Sequence, residues 1–157
     1  MRNETRTARG AYCAVVPGFE LTMEIARLPE DVFAYLTDVS NLPAWQSSAR
    51  AAEADGRVRK GARIQERRSF MGRDVKTEVE VTAYEFPERF DLRSRSGPVS
   101  YEIRHELKRA GAATRLHVRA DVKVGPMMRI PAQGPLKMAE REFRSDFERL
   151  KTILETP

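Results

Sequence analysis

The residues best placed to do chemistry in this sequence sit on alternating runs, where parity decides which face each side chain takes. His105 lies between Ile103 and Leu107 in one such run and shares their apolar face. An imidazole titrates near neutrality in water, which suits a general acid or base. The same position equally suits a core histidine satisfied by one hydrogen bond. Tyr101 takes the same face and is expected about 7 Å from His105 along the strand, near enough for the two to work together. A phenol and an imidazole on one wall would polarise a carbonyl and move a proton, as an aldol-type cyclisation or a dehydration needs. More simply, a tyrosine is a large apolar wall with a polar tip. Glu66 and Arg68 share the parity of Ile64 and Phe70. Two charges on a dry face are costly unless they pair or line a wet pocket. A strand end or a bulge that shifts the parity would place them outside instead.

Other chemistry is poorly provided for. His117 has the parity opposite to His105 and is expected to face water, so the two histidines form no joint site. Cys13 has no neighbouring base to activate it, and one cysteine excludes an intrachain disulfide. Two histidines and that cysteine are too few for a typical zinc site, and no metal or cofactor is expected. There is no G-x-S-x-G nucleophile elbow and no dinucleotide fingerprint. The segment from Gly56 to Gly61 has the glycine spacing of a phosphate loop, but Ala62 stands where a lysine is needed.

The net charge of +5 comes from basic residues interleaved with acidic ones. Only short clusters such as Arg57, Arg59 and Lys60, or Arg67 and Arg68, interrupt that mixture. Dispersed charge of this kind reads as a solvated surface, and no nucleic-acid partner is expected. No apolar run reaches the length of a membrane span and no signal-peptide core is seen, so a cytoplasmic protein without membrane insertion is expected.

The elements that must position these side chains follow from periodicity. Residues 1–17 show no period and are expected to form a flexible tail before a domain spanning 18–157. Phe19, Leu21, Met23 and Ile25 alternate with polar residues as a half-buried strand. Pro29 opens a short helix whose first turn carries Glu30 and Asp31. A turn or brief second helix from Asn41 to Trp45 follows. The period is then two almost to residue 124, with a strand from Ala62 to Phe70 and hairpin breaks at Met71–Arg73, Pro87, Gly97 and Gly111. One dry face and one wet face mean an antiparallel sheet. Leu136, Ala139, Phe143, Phe147, Leu150 and Leu154 trace an apolar stripe along a closing helix that covers the dry face. The class is α+β, a curved antiparallel sheet of about seven strands wrapped around a long C-terminal helix.

That order, with particular punctuation, resembles the START-like helix-grip superfamily and, within it, the bacterial polyketide cyclase/dehydrase-type SRPBCC proteins. The resemblance is carried by Leu28–Asp38, Asn41–Trp45, Gly61, Met71–Arg73, Pro87–Phe90, Gly111–Leu116 and Leu150–Glu155, and it covers about residues 19–155. It implies a deep cavity between sheet and C-terminal helix, in which members hold lipids, plant hormones, polyketide intermediates or quinones. Others act as chaperone-binding or ribosome-linked modules. The characteristic segments of the aromatic polyketide aromatase/cyclases are not matched.

Within such a cavity the expected wall is Tyr35, Trp45, Glu66, Arg68, Val79, Leu92, Ser94, Ile103 and Phe143. Thr77 and Thr114 are also compatible with pocket hydrogen bonds. Met127, Met128 and Ile130, between the last strand and the helix, read as an adaptable lid or as ordinary packing. The expected partner is an apolar small molecule, bound without chemistry or turned over by His105 and Tyr101 in a cyclase or dehydratase. A protein-interaction module is the third reading. An unpaired edge strand would support a homodimer.

Overall fold

The computed structural model describes residues 18–123 and 133–157. The chain runs β1 (Gly18–Ile25), α1 (Pro29–Thr37), a short turn of 3-10 helix (Val39–Asn41), α2 (Leu42–Trp45) and β2 (Ala49–Ala54). Then come β3 (Arg63–Phe70), β4 (Arg73–Glu85), β5 (Arg89–Ser94), β6 (Ser100–Ala110), β7 (Ala113–Lys123) and α3 (Gln133–Glu155). Pro29 sits in the first turn of α1, where its missing N–H costs nothing, and Glu30 and Asp31 follow it. Val32, Phe33 and Leu36 give that helix its buried face. Asp38 caps the next turn by accepting from the Ser40 N–H at 3.1 Å.

The seven strands form one antiparallel sheet in the order β1-β7-β6-β5-β4-β3-β2. Consecutive strands from β2 to β7 are joined as hairpins, and β1 returns to pair with β7. The β3–β4 turn places Met71 at φ 50° and Gly72 at φ 76°. Positive φ at both central residues matches the twist of a two-residue hairpin, and the glycine takes its value without strain. The strand count and helix agree with the sequence reading. Strand β2 does not figure in it, because Ala49, Ala51, Ala52 and Ala54 favour helix intrinsically. Pairing to β3, with a bulge between Ala49 and Ala51, overrides that preference.

Helix α3 lies along β1. The Arg144 and Lys151 side chains donate to the Glu20 and Glu24 carbonyls at 3.0 and 2.7 Å, and the Ala26 N–H donates to the Glu155 carboxylate at 2.9 Å. Phe147, Leu150 and Leu154 are buried under the sheet. The expected stripe is corrected at its N-terminal end, where Ala139 is exposed and Leu136 and Phe143 are only half-buried. The helix therefore meets β1 from Phe143 onward, and Lys137, Met138 and Ala139 before that are exposed. No helix among the described residues is long and apolar enough to cross a membrane.

The inward face of the sheet divides along the strands. At one end Ile25, Val32, Phe33, Val81, Phe90, Leu107, Leu116 and Leu150 are almost wholly excluded from solvent. At the other end Phe70, Val75, Leu92, Tyr101, Ile103 and Val122 face inward but are half-buried. Phe33 anchors the dry end, with the rings of Tyr84, Phe86 and Phe90 edge-on to it at 5.1, 5.4 and 6.3 Å. We expect Phe33→Ala to cost about 3–5 kcal/mol in urea unfolding. A loss below about 1 kcal/mol would mean that the dry end is not the core.

Candidate ligand-binding wall

The half-buried end of the inward face carries a charged pair. Glu66 and Arg68 both point inward from β3, and Arg68 Nε donates to Glu66 Oε2 at 2.6 Å. The Glu66 side chain is 3% exposed and that of Arg68 is 21% exposed. Arg68 Nη1 donates to Ser48 Oγ at 2.9 Å and Nη2 to Gln46 Oε1 at 2.6 Å. The Thr77 hydroxyl, across the ladder on β4, lies 3.4 Å from the same Glu66 oxygen. Burial works against the charge on Arg68, but the field and hydrogen bond of Glu66 outweigh it and move its pKa upward. Arg68 is thus held charged, and both side chains turn inward, which settles the parity question raised by the sequence.

Three elements build this cluster. Gln46 and Ser48 lie on the strap between α2 and β2, and α3 fixes that strap at Ser47. The Ser47 N–H donates to Asp146 Oδ1 at 3.0 Å and its hydroxyl to Glu142 Oε1 at 3.0 Å. Tyr101 comes from β6, close enough that the charges of Glu66 and Arg68 both act on its phenol. Burial first, and then the Glu66 carboxylate, push that phenol well above the ordinary tyrosine range.

His105 lies deeper, at the boundary between the two ends, and is 3% exposed. Its Nδ1 is 2.7 Å from the Phe90 carbonyl, so Nδ1 carries the proton and donates while Nε2 keeps its lone pair. The Phe90 ring stacks on it at 5.8 Å and the Phe147 ring lies at 5.9 Å. Burial drives its pKa down to about 4, against the smaller upward pulls of the Phe90 hydrogen bond and the Asp91 charge.

The chain matches over residues 17–155 the model of a family described as polyketide cyclase / dehydrase and lipid transport. The chain belongs to this family. Solved structures with the same fold include a START superfamily protein from Mycobacterium smegmatis, at 22% identity and TM-score 0.66, covering 88% of this chain and 94% of that one. A conserved protein from Geobacillus kaustophilus matches at 18% identity and TM-score 0.72, covering 88% and 95%. The Zhui aromatase/cyclase from Streptomyces matches at 14% identity and TM-score 0.72, covering 88% and 93%. No curated protein matches the chain.

In this member of the polyketide cyclase / dehydrase and lipid transport family, the expected wall residues fall into groups. Leu92 and Ile103 are cross-strand partners on the half-buried wall, beside Tyr101. Phe143 of α3 faces Phe19 at 5.8 Å and Phe147 at 5.0 Å. Val79 and Trp45 are core residues, and Trp45 packs on Phe147 at 5.1 Å. The Ser94 hydroxyl is occupied in accepting from the Tyr101 N–H at 2.9 Å. The Thr114 hydroxyl donates to the Arg27 carbonyl at 2.7 Å, away from the charged cluster. Tyr35 sits at the α1 end, where Asn41 donates to its carbonyl, and no described contact joins it to Arg68. Met127, Met128 and Ile130 lie outside the described residues.

One expectation changes, and three residues join the site. Tyr101 and His105 are separated along β6 by the intervening Ile103 pair position, about 13 Å of strand, so they do not reach one carbonyl together. Gln46, Ser48 and Asp146 are absent from the sequence reading. Asp146 carries a signal that could have found it, since spacing from Phe143 and Leu150 sets it inside the apolar arc of α3.

The buried imidazole predicts a pH dependence. Its folded pKa is below the unfolded value, so the unfolded chain takes up the proton first as pH falls. The stability contributed by neutral His105 is complete above about 6.5 and is lost as pH falls toward about 4. A shift of this size is worth up to about 3 kcal/mol. His105→Gln is expected to remove that part of the acid destabilisation, read by urea unfolding at several pH values. Identical pH slopes in the two proteins would contradict a buried neutral histidine.

Proposed function

We propose that the protein binds an apolar small molecule carrying a polar group, in the space between the half-buried sheet wall and the N-terminal half of α3. The observation that carries this reading is the Glu66–Arg68 pair, set inward among half-buried apolar side chains. Arg68 offers five N–H donors, and Glu66, Ser48 and Gln46 accept from three of its nitrogens. Its remaining donors and the Tyr101 hydroxyl supply a polar end, while Leu92, Ile103 and Phe143 supply apolar walls. Because Glu66 already neutralises Arg68, the wall suits a carbonyl or hydroxyl more than a second full charge. Family membership supports the same reading, since the family covers lipid transport as well as polyketide chemistry.

A cyclase or dehydratase working through His105 and Tyr101 is less well supported. At neutral pH both rings are uncharged and distant from their titration ranges, one low and one high. Efficient general acid–base catalysis wants a pKa near the working pH. Neutral rings serve better as hydrogen-bonding groups, a donor at Tyr101 and an acceptor at His105 Nε2.

Filling the space tests the reading. Ile103→Trp is expected to fold with little loss of stability and to abolish saturable binding of Nile red, a neutral apolar fluorophore with one carbonyl, which wild type is expected to bind at one per chain. If the wall is close-packed instead, the same substitution overpacks it and costs about 1–3 kcal/mol. That loss, with no saturable binding by wild type, would overturn the proposal.

A further inference from the structure

The outer face of the sheet pairs its charges across strands nearly everywhere. Arg63 meets Glu78, Arg93 meets Glu102 at 3.0 Å, and Arg95 meets Glu80 at 3.4 Å. Where like charges face each other in register, carboxylates intervene. Arg104 lies opposite Arg119 and Lys108 opposite Arg115, yet Glu20, Glu24, Glu102 and Asp121 engage three of those four cations.

The β3–β4 hairpin breaks this pattern. It runs on past the last β5 pairing, Val79 with Ser94, through Arg68 with Val75 to Phe70 with Arg73. Arg67 lies directly opposite Lys76 on its outer side. Among the described residues neither has a carboxylate within ion-pair distance, and neither does Arg73 at the tip. Like charges placed directly opposite are destabilising, so the arrangement gains only from an anion outside the chain. Asp74, the hairpin's own carboxylate, sits opposite Ser69 and forms no ion pair among the described residues. At the tip Met71 is 79% exposed. The free half of α3, at the same end of the sheet, exposes Met138 beside Lys137 and Arg141.

We propose that this end of the molecule docks reversibly on the surface of an anionic phospholipid bilayer. Met71 enters the headgroup layer while Arg67, Arg73 and Lys76 meet lipid phosphates. An apolar tip backed by cations, Arg67 and Lys76 on the outer side of the hairpin and Arg73 in register with Phe70, is an arrangement that interfacial binding rewards, each basic side chain adding to the attraction of an anionic leaflet. The inner side of the same hairpin carries Arg68, Phe70 and Val75 toward the proposed cavity, so docking would set its mouth against the lipid. The docking surface itself stands on the hairpin and does not depend on what fills the cavity.

The test is flotation of the full chain with vesicles of phosphatidylcholine alone or mixed with phosphatidylglycerol. Binding is expected only to the anionic vesicles and is expected to disappear in strong salt, where the screening length falls to about 3 Å. Lys76→Glu and Arg67→Glu are each expected to weaken it about tenfold. Met71→Ser is expected to weaken it by a smaller factor, about threefold. Both charge reversals should leave the melting temperature unchanged or raised, because they replace a like-charged cross-strand pair by an opposite one. Failure to float with anionic vesicles would overturn the proposal, as would unchanged flotation of both charge reversals. Capture of a single-stranded RNA oligomer by a chain that ignores the vesicles would overturn it in favour of a nucleic-acid surface.

Discussion

The buried ion pair on β3 is the constraint around which the rest of the site is arranged. Removing a carboxylate and a guanidinium from water costs several kcal/mol per ion unless the pair is close and its remaining hydrogen bonds are met. Glu66 and Arg68 lie 2.6 Å apart, and Gln46, Ser48 and Thr77 surround the pair. Those partners come from the α2–β2 strap and from β4, so the strap must sit where the guanidinium needs it. The strap is in turn held by Asp146 and Glu142 of α3 through Ser47. Helix position, strap and charged pair therefore form one connected unit.

The division of the inward face gives that unit its setting. The dry end, centred on Phe33, Phe90 and Leu150, supplies the burial that stabilises the fold. The other end leaves apolar side chains half-buried around a charged pair, an arrangement that adds little to stability but suits a ligand with an apolar body and a polar end. His105 stands at the junction. Its burial keeps it neutral, and its hydrogen bond to Phe90 aligns it without making it a proton shuttle.

Much of this was legible in the sequence because alternation is a strong signal when one face is dry. The strands from Phe19 to Ile25 and from Val75 onward, the Pro29 helix start and the inward parity of Tyr101 and His105 all followed from it, while for Glu66 and Arg68 alternation left a strand end or a bulge open. Strand β2 was not legible, since an alanine-rich segment has no period to show and takes its form from β3. The strap residues Gln46 and Ser48 were not legible for the same reason, because a long-range contact leaves no local pattern. The separation of Tyr101 from His105 was a matter of counting positions along one strand, where sharing a face had been taken for proximity. The exposed N-terminal half of α3 was misread because Ala139 fits a helical stripe whether or not a sheet lies beneath it.

The central claim is that the charged pair is kept for binding and not for stability. The most direct measurement is a titration of the neutral, carbonyl-bearing fluorophore Nile red into the double variant Glu66→Leu with Arg68→Met, alongside its urea unfolding. The account predicts a variant as stable as wild type or more so, because an apolar pair of similar size removes the desolvation cost, with binding weakened at least about tenfold. Undiminished binding by a stably folded variant would contradict it.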